Sequence, residues 1–124
     1  MFADVRVVTQ EDFDAWVTAR QEEAAAAAQT PEGRGEALAV QNGCLGCHTV
    51  DGAAGTGPTW FNLYCRQEQL ADGTTVIVDD AYIHESILEP QAKIVSRFES
   101  VLMPTYTFTD EQIADIVAYL KTLK

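Results

Sequence analysis

Apolar residues follow a helical spacing most clearly near the end of the chain. Four of them fall on one face of a helix: Ile113, Ile116, Val117 and Leu120. Thr109 precedes this stretch and Gln112 follows three positions later, which is the spacing of a capping box at a helix start. The pattern therefore predicts an amphipathic helix whose apolar face packs on another helix.

Two more helices are predicted earlier in the chain. Thr9 and Asp12 mark a helix start, and the alanine-rich residues 24–28 can continue this helix as a solvated spacer. Residues 30–35, Thr-Pro-Glu-Gly-Arg-Gly, should end it. Residues 36–43 then predict a second helix, which leads into two cysteines and should pack on the last helix.

Short β segments are predicted at two places. Residues 4–8 alternate in polarity and predict a strand at the start of the chain. Residues 68–71 and 74–78 flank Asp72-Gly73, which favours a hairpin with a two-residue primed turn. Asp79 or Asp80 should then cap a short helix that ends near Pro90.

These elements predict a mainly α fold in two parts. Residues 1–30 form a strand–helix appendage, and residues 31–124 form the main domain with a small β-hairpin insertion. A chain of 124 residues with 47% hydrophobic residues is of single-domain size. Its net charge of −11 argues against binding to nucleic acid or to an anionic membrane and favours a basic or neutral protein partner.

The chemistry is concentrated in Cys44-Leu-Gly-Cys-His48. This spacing is the signature of covalent c-type haem attachment, in which both thiols add to the haem vinyl groups and the imidazole binds the iron. A thioredoxin-like thiol pair and half of a zinc site are the alternatives. Cys65 and His84 could complete such a zinc site. We expect Cys65 to be a small buried hydrophobe, with a reactive thiol as the second alternative. We expect His84 to be a surface or packing residue and not a ligand.

The function of such a haem depends on whether a side chain occupies the second axial position of the iron. A bound side chain favours electron transfer, whereas an open position would allow gas binding or catalysis. Of the two methionines, Met103 lies well downstream of the haem motif and precedes Pro104. Proline disfavours helical geometry at the residue before it, so this segment should be extended like a strap across the haem. We therefore expect Met103 to bind the iron, although core filling is the commoner role of methionine.

Several motifs together resemble a class I cytochrome c: Gly43-Cys-x-x-Cys-His48, Gly57-Pro58, Met103-Pro104 and Ile116-Val-Ala-Tyr-Leu120. The flanking sequence resembles more narrowly the cytochrome c domain at the end of subunit II in caa-type haem–copper oxygen reductases. That narrower likeness rests on Asp72-Gly-Thr-Thr75, Glu85-Ser-Ile-Leu-Glu-Pro90 and the opening residues 1–16.

This resemblance implies one covalent haem c, held by Cys44 and Cys47 with His48 and Met103 as axial ligands. It implies that the Pro58 carbonyl accepts a hydrogen bond from His48. Four further positions would contact the haem or lie near its propionates: Trp60, Arg66, Ile94 and Phe98. Ala39 departs from the family, which usually has an aromatic there, so Leu38, Tyr119 or the appendage should supply that packing.

The resemblance also implies a role and a place. A soluble protein would donate one electron at a time, and the haem would pass it to the binuclear copper centre of the oxidase, whose ligands should lie upstream of this sequence. The site would face the periplasm, anchored through upstream segments, since this sequence has neither a signal peptide nor an apolar span. A free periplasmic shuttle, and a peroxidase or gas sensor with an open distal site, are the alternatives.

Overall fold

A computed structural model describes residues 5–124, and the described chain is mainly helical. Its elements are helix α1 (Gln10–Ala27), helix α2 (Pro31–Gln41), a 3-10 turn (Cys44–Gly46), strands β1 (Gln67–Gln69) and β2 (Thr75–Ile77), helix α3 (Asp80–Leu88) and helix α4 (Asp110–Thr122). This architecture confirms the predicted mainly α fold with a small β-hairpin.

The packing of α2 on α4 forms the centre of the fold, as predicted. Both bonds of the expected capping box start α4: Thr109 N donates to Gln112 Oε1 at 2.9 Å, and Gln112 N donates to Thr109 Oγ1 at 3.3 Å. The predicted apolar stripe is buried, with Ile113 and Ile116 each only 2% exposed. Burial of this stripe supplies the hydrophobic free energy that holds the two helices together.

Helix α2 begins at Pro31, five residues before the predicted start. The predicted break between the first two helices is present at residues 28–30, but residues 31–35 belong to α2 and not to the break. Thr30 Oγ1 accepts a hydrogen bond from Gly33 N at 3.1 Å, and Pro31 occupies the first turn, where its missing N–H has no cost. Gly35 is buried against α4. A Cβ at this position would lie 2.0 Å from the carbonyl oxygen of Asp115, so a larger residue would push the two helices apart. This glycine therefore serves helix packing.

Arg34 joins three parts of the chain around this contact. Its Nε donates to Asp115 Oδ2 at 2.8 Å and its Nη2 to Oδ1 at 2.7 Å, while Nη1 donates to the Gln29 carbonyl at 2.8 Å. Asp115 is a buried acidic residue on α4, 7% exposed. The ion pair therefore gives this buried carboxylate two charge-assisted hydrogen bonds.

The start of the described chain differs from the prediction. Residues 5–8 form no strand, and Val5 and Val7 are 88% and 92% exposed; Asp4 lies outside the described residues. A short strand needs a hydrogen-bonded neighbour, and the two strands among residues 5–124 pair only with each other. Helix α1 forms as predicted from Thr9, and it has no buried residue, which fits a solvated helix.

The hairpin is present, but its turn is longer than predicted. Gln69 pairs with Thr75, and Leu70 N donates to the Thr74 carbonyl at 2.8 Å, so three residues form the loop. Gly73 alone takes positive φ there, at 86°, whereas a type I′ turn would also require it at Asp72. Asp72 instead accepts a hydrogen bond from Thr74 N at 2.8 Å, which stabilises this loop.

Ala39 is fully buried, and aromatic packing is supplied nearby by other residues. Tyr119 of α4 meets Trp60 edge to face, with ring centroids 6.4 Å apart. Leu38 also packs on the core, whereas α1 contributes no buried residue. The boundary between residues 1–30 and 31–124 stays a prediction.

Candidate cofactor-binding site

A cavity of about 280 Å³ lies among α3, α4 and the segments around residues 43–63 and 93–108. Its lining is mostly apolar and includes Leu63, Ile83, Ile87, Val95, Leu102, Phe108, Ile116 and Leu120. Apolar side chains from separate elements therefore converge on a space suited to a large hydrophobic group.

The haem motif forms part of this lining. Cys44, Cys47 and His48 all line the cavity, and both cysteines are free thiols. Gly43 takes φ 73° and ends the approach from α2, after which His48 N donates to the Cys44 carbonyl at 3.0 Å. This tight turn brings two thiols and an imidazole to the same space.

The imidazole of His48 is held on several sides. Its Nδ1 donates to the Pro58 carbonyl at 2.7 Å, and Trp60 stacks on the ring with centroids 5.0 Å apart. Gly57 lies so close that a Cβ there would be 2.9 Å from His48 Cε1. These contacts leave Nε2 as the nitrogen able to bind a metal.

Burial lowers the pKa of His48 below its ordinary value of 6.5, and the hydrogen bond to Pro58 opposes that shift only in part. The imidazole is therefore neutral at pH 7, as a metal ligand must be. Burial also raises the pKa of the Cys44 thiol.

Met103 lines the same cavity from an irregular segment before α4. Residues 101–109 contain no helix or strand, in agreement with the extended strap predicted from Pro104. Gln91 Nε2 donates to the Met103 carbonyl at 3.4 Å, and Tyr106 Oη donates to the Asn42 carbonyl at 3.3 Å. Few hydrogen bonds thus hold the strap.

These donors fit a covalent haem. Two thiols, one neutral imidazole and one thioether surround a single apolar space, and they are the groups that attach and ligate haem c. The missing Cβ of Gly57 makes room for the imidazole.

The other implied residues divide into two groups. Pro58, Trp60, Ile94 and Phe98 line the cavity. Arg66 is not among the lining residues; it donates to Glu68, to the Phe61 carbonyl at 3.1 Å and to the Thr59 carbonyl at 3.2 Å. Its guanidinium therefore reinforces the segment that carries Trp60.

Among the lining residues that were not predicted from the sequence as part of the site are Glu68 and Tyr82. Glu68 is the middle residue of β1 and faces the interior, as strand alternation could have indicated. Tyr82 lies on the buried face of α3, where burial raises the pKa of its hydroxyl.

Cys65 was expected to be buried but is exposed. It has positive φ, 64°, at the bend that leads into β1, and this bend turns the side chain away from the core. His84 Nε2 lies 3.1 Å from Asp110 Oδ1 and does not line the cavity. Neither residue therefore joins Cys44 and Cys47.

The cytochrome c family model matches residues 33–124. The chain belongs to the cytochrome c family. Its members carry covalently bound haem c, so the family assignment agrees with the donors around the cavity.

A relative adds a narrower likeness. The chain is 27% identical over 116 residues to cytochrome c oxidase subunit 2 of Alkalihalophilus pseudofirmus, covering 93% of this chain and 32% of that protein. The chain thus spans about a third of the relative's length. Within residues 5–124, no helix has the length and hydrophobicity to cross a membrane, and no three His, Cys, Asp or Glu side chains cluster as a metal site.

Proposed function

We propose that this cytochrome c chain transfers single electrons through one covalent haem c. In this proposal Cys44 and Cys47 attach the haem, and His48 and Met103 bind its iron. The convergence of these four side chains on one apolar cavity carries the proposal. When bound, the haem supplies reversible one-electron chemistry, with no bond made or broken in a substrate.

The residues of the chain prepare this site in distinct ways. The Pro58 carbonyl accepts a hydrogen bond from His48 Nδ1, which orients the ring and raises the basicity of Nε2. The apolar lining excludes water and disfavours the extra positive charge of ferric iron. A thioether ligand also favours the ferrous over the ferric state, so we expect the haem to have a fairly high reduction potential.

We infer that the chain works within a terminal oxygen reductase. The similarity to an oxidase subunit 2 supports this assignment. A soluble electron carrier would reduce the haem, which would then pass electrons to a binuclear copper centre in another part of the complex. The domain would lie on the periplasmic face of a bacterial plasma membrane, joined to a membrane-anchored subunit.

The absorption spectrum of the haem-loaded protein tests the electron-transfer assignment. We expect the band of methionine sulfur bound to ferric haem, and we expect Met103→Ala to remove it while the covalent haem remains. Thr105→Ala is the matched control, because Thr105 is exposed, lies two residues after Met103 on the same strap and does not line the cavity. A native protein without this band that binds carbon monoxide readily would contradict methionine ligation.

The encoding gene tests the oxidase assignment. Copper ligands and hydrophobic spans encoded in the same reading frame would support a subunit 2. A reading frame with only an export signal before this domain would favour a free periplasmic shuttle.

A further inference from the structure

The cavity has one acidic lining residue among residues 5–124, Glu68. It is the middle residue of β1 and pairs with Val76 of β2, so both side chains face the interior. The Glu68 side chain is only 15% exposed. A carboxylate thus lies beside a mostly apolar space, where a charge is weakly screened. The one cationic lining residue among residues 5–124 is Lys93, whose ammonium group is paired with Glu85 of α3.

Arg66 holds this carboxylate in place. Its Nε donates to Glu68 Oε1 at 2.7 Å, and its Nη2 donates to the same oxygen. The guanidinium also donates to the carbonyls of Thr59 and Phe61. These two residues flank Trp60, which stacks on His48, so the ion pair is joined to the segment beside the imidazole.

A charge fixed beside a haem changes its reduction potential. A nearby anion stabilises the ferric state and lowers the potential, whereas a nearby cation raises it. Glu68 lines the cavity and Arg66 does not, so the anion lies closer to the space for the haem.

We propose that Glu68, held by Arg66, is an electrostatic tuning group that lowers the reduction potential of the haem. The proposal rests on the proposed function, because it requires the haem to occupy the cavity. It assigns the inward carboxylate of the hairpin a role in setting the driving force of electron transfer, in addition to any role in stability.

Midpoint potentials of the haem-loaded protein and its variants test this role, with one electron exchanged at an electrode. Glu68→Gln should raise the potential, because it removes the anion and leaves the Arg66 cation. Arg66→Gln should lower it, because it leaves the anion without its partner. The double variant should lie between the two single variants.

Glu22→Gln is the matched control, since it removes the same charge from an exposed position on α1. Its potential should stay near that of the unmodified protein. Added salt should leave the Glu68→Gln shift largely intact, because a buried charge is poorly screened by ions. The methionine–iron band should persist in Glu68→Gln, which shows that both axial ligands are unchanged.

Shifts of both single variants in the same direction would overturn the proposal, since loosened packing would act equally on both. A Glu68→Gln shift no larger than that of Glu22→Gln would also overturn it. If Glu68→Gln takes up no haem, the double variant must have a higher potential than Arg66→Gln. Failure of both single variants to take up haem would make the pair a structural requirement and refute the tuning role.

The two proposals fail in different ways. Absence of covalent haem from the unmodified protein refutes the proposed function itself. Normal haem and a normal methionine band, with potentials unaffected by Glu68, refute only the tuning role.

Discussion

Helices α1 and α4 begin with the same local signal and lie in different surroundings. Thr9 caps α1 and Thr109 caps α4, each accepting a hydrogen bond from the backbone three residues later. Helix α1 has no buried residue, whereas α4 buries six and lines the cavity with Ile116 and Leu120. A cap therefore sets where a helix begins, and the apolar stripe decides whether the helix belongs to the core.

The largest expected change in stability comes from substituting Gly35 of α2, which faces α4, and Gly33, which faces α1, provides the comparison. A Cβ at Gly35 would lie 2.0 Å from the Asp115 carbonyl oxygen, and one at Gly33 would lie 1.9 Å from the Ala27 carbonyl oxygen. Gly35→Ala should lower the free energy of unfolding by about 1–3 kcal/mol, because α4 must move away from α2. Urea unfolding of the haem-loaded protein measures this loss.

Gly33→Ala is the matched variant for that experiment. Its clash displaces α1, which has no buried residue, so the free energy of unfolding and the haem spectrum should change little. Equal destabilisation by the two variants would show that α1 contributes to the core as α4 does.

The two threonine caps give a smaller effect of the same kind. Thr109→Ala should lower the free energy of unfolding by about 1 kcal/mol, since it removes the capping box of a core helix. Thr9→Ala should fray the start of α1 and leave global unfolding nearly unchanged. Circular dichroism reports the frayed turn, and thermal unfolding followed at the haem band reports the core.

The smallest expected change in stability concerns the exposed ion pair between Asp80 of α3 and Lys121 at the end of α4. The hydrogen bond from Tyr64 Oη has the larger effect on the pKa of Asp80, and the one from Lys121 Nζ has a smaller effect. Together they hold this pKa below its ordinary value of 3.8. The carboxylate therefore stabilises the fold above pH 3.8, and this contribution is lost as the pH falls through the lower folded-state pKa. The contribution is slight because the pair is solvent-exposed.

Asp80→Asn measures that contribution. The variant should be slightly less stable than the unmodified protein at pH 6, and the difference should vanish in acid. The exposed pair Arg20–Glu23 on α1 is the control, and Glu23→Gln should leave global unfolding unchanged at both pH values. A difference for Asp80→Asn that grows in acid would contradict the sign of the pKa shift.

Helix caps and the haem motif were predicted well from local signals in the sequence, whereas the strand at residues 5–8 and the two-residue turn at Asp72-Gly73 were not found. The cap at Thr109 depends on bonds within one turn, and Cys44, Cys47 and His48 are neighbours whose chemistry follows from their spacing. Pro104 predicted the extended strap because it restricts the residue directly before it.

Features that depend on contacts between distant residues were missed. Gly35 was taken as part of a helix break, but its reason is a carbonyl oxygen 80 positions away in the sequence. The burial of Glu68 beside the cavity depends on where the hairpin packs. Strand alternation could have indicated that Glu68 faces inward, but no spacing within the sequence indicates which part of the chain lies beside it. The exposure of Cys65 has a local cause, the bend with positive φ at Cys65 itself, which the sequence also did not indicate.

Arg34 connects the chain just after α1 to α4, the helix that lines the cavity. One planar guanidinium holds the Gln29 carbonyl, just after α1, and the Asp115 carboxylate in the middle of α4. A movement of residues 28–30 away from α4 would therefore break the bond to Gln29 and leave the ion pair with Asp115 in place. The same side chain thus serves as a tether for the end of α1 and as a partner for a buried charge in the core.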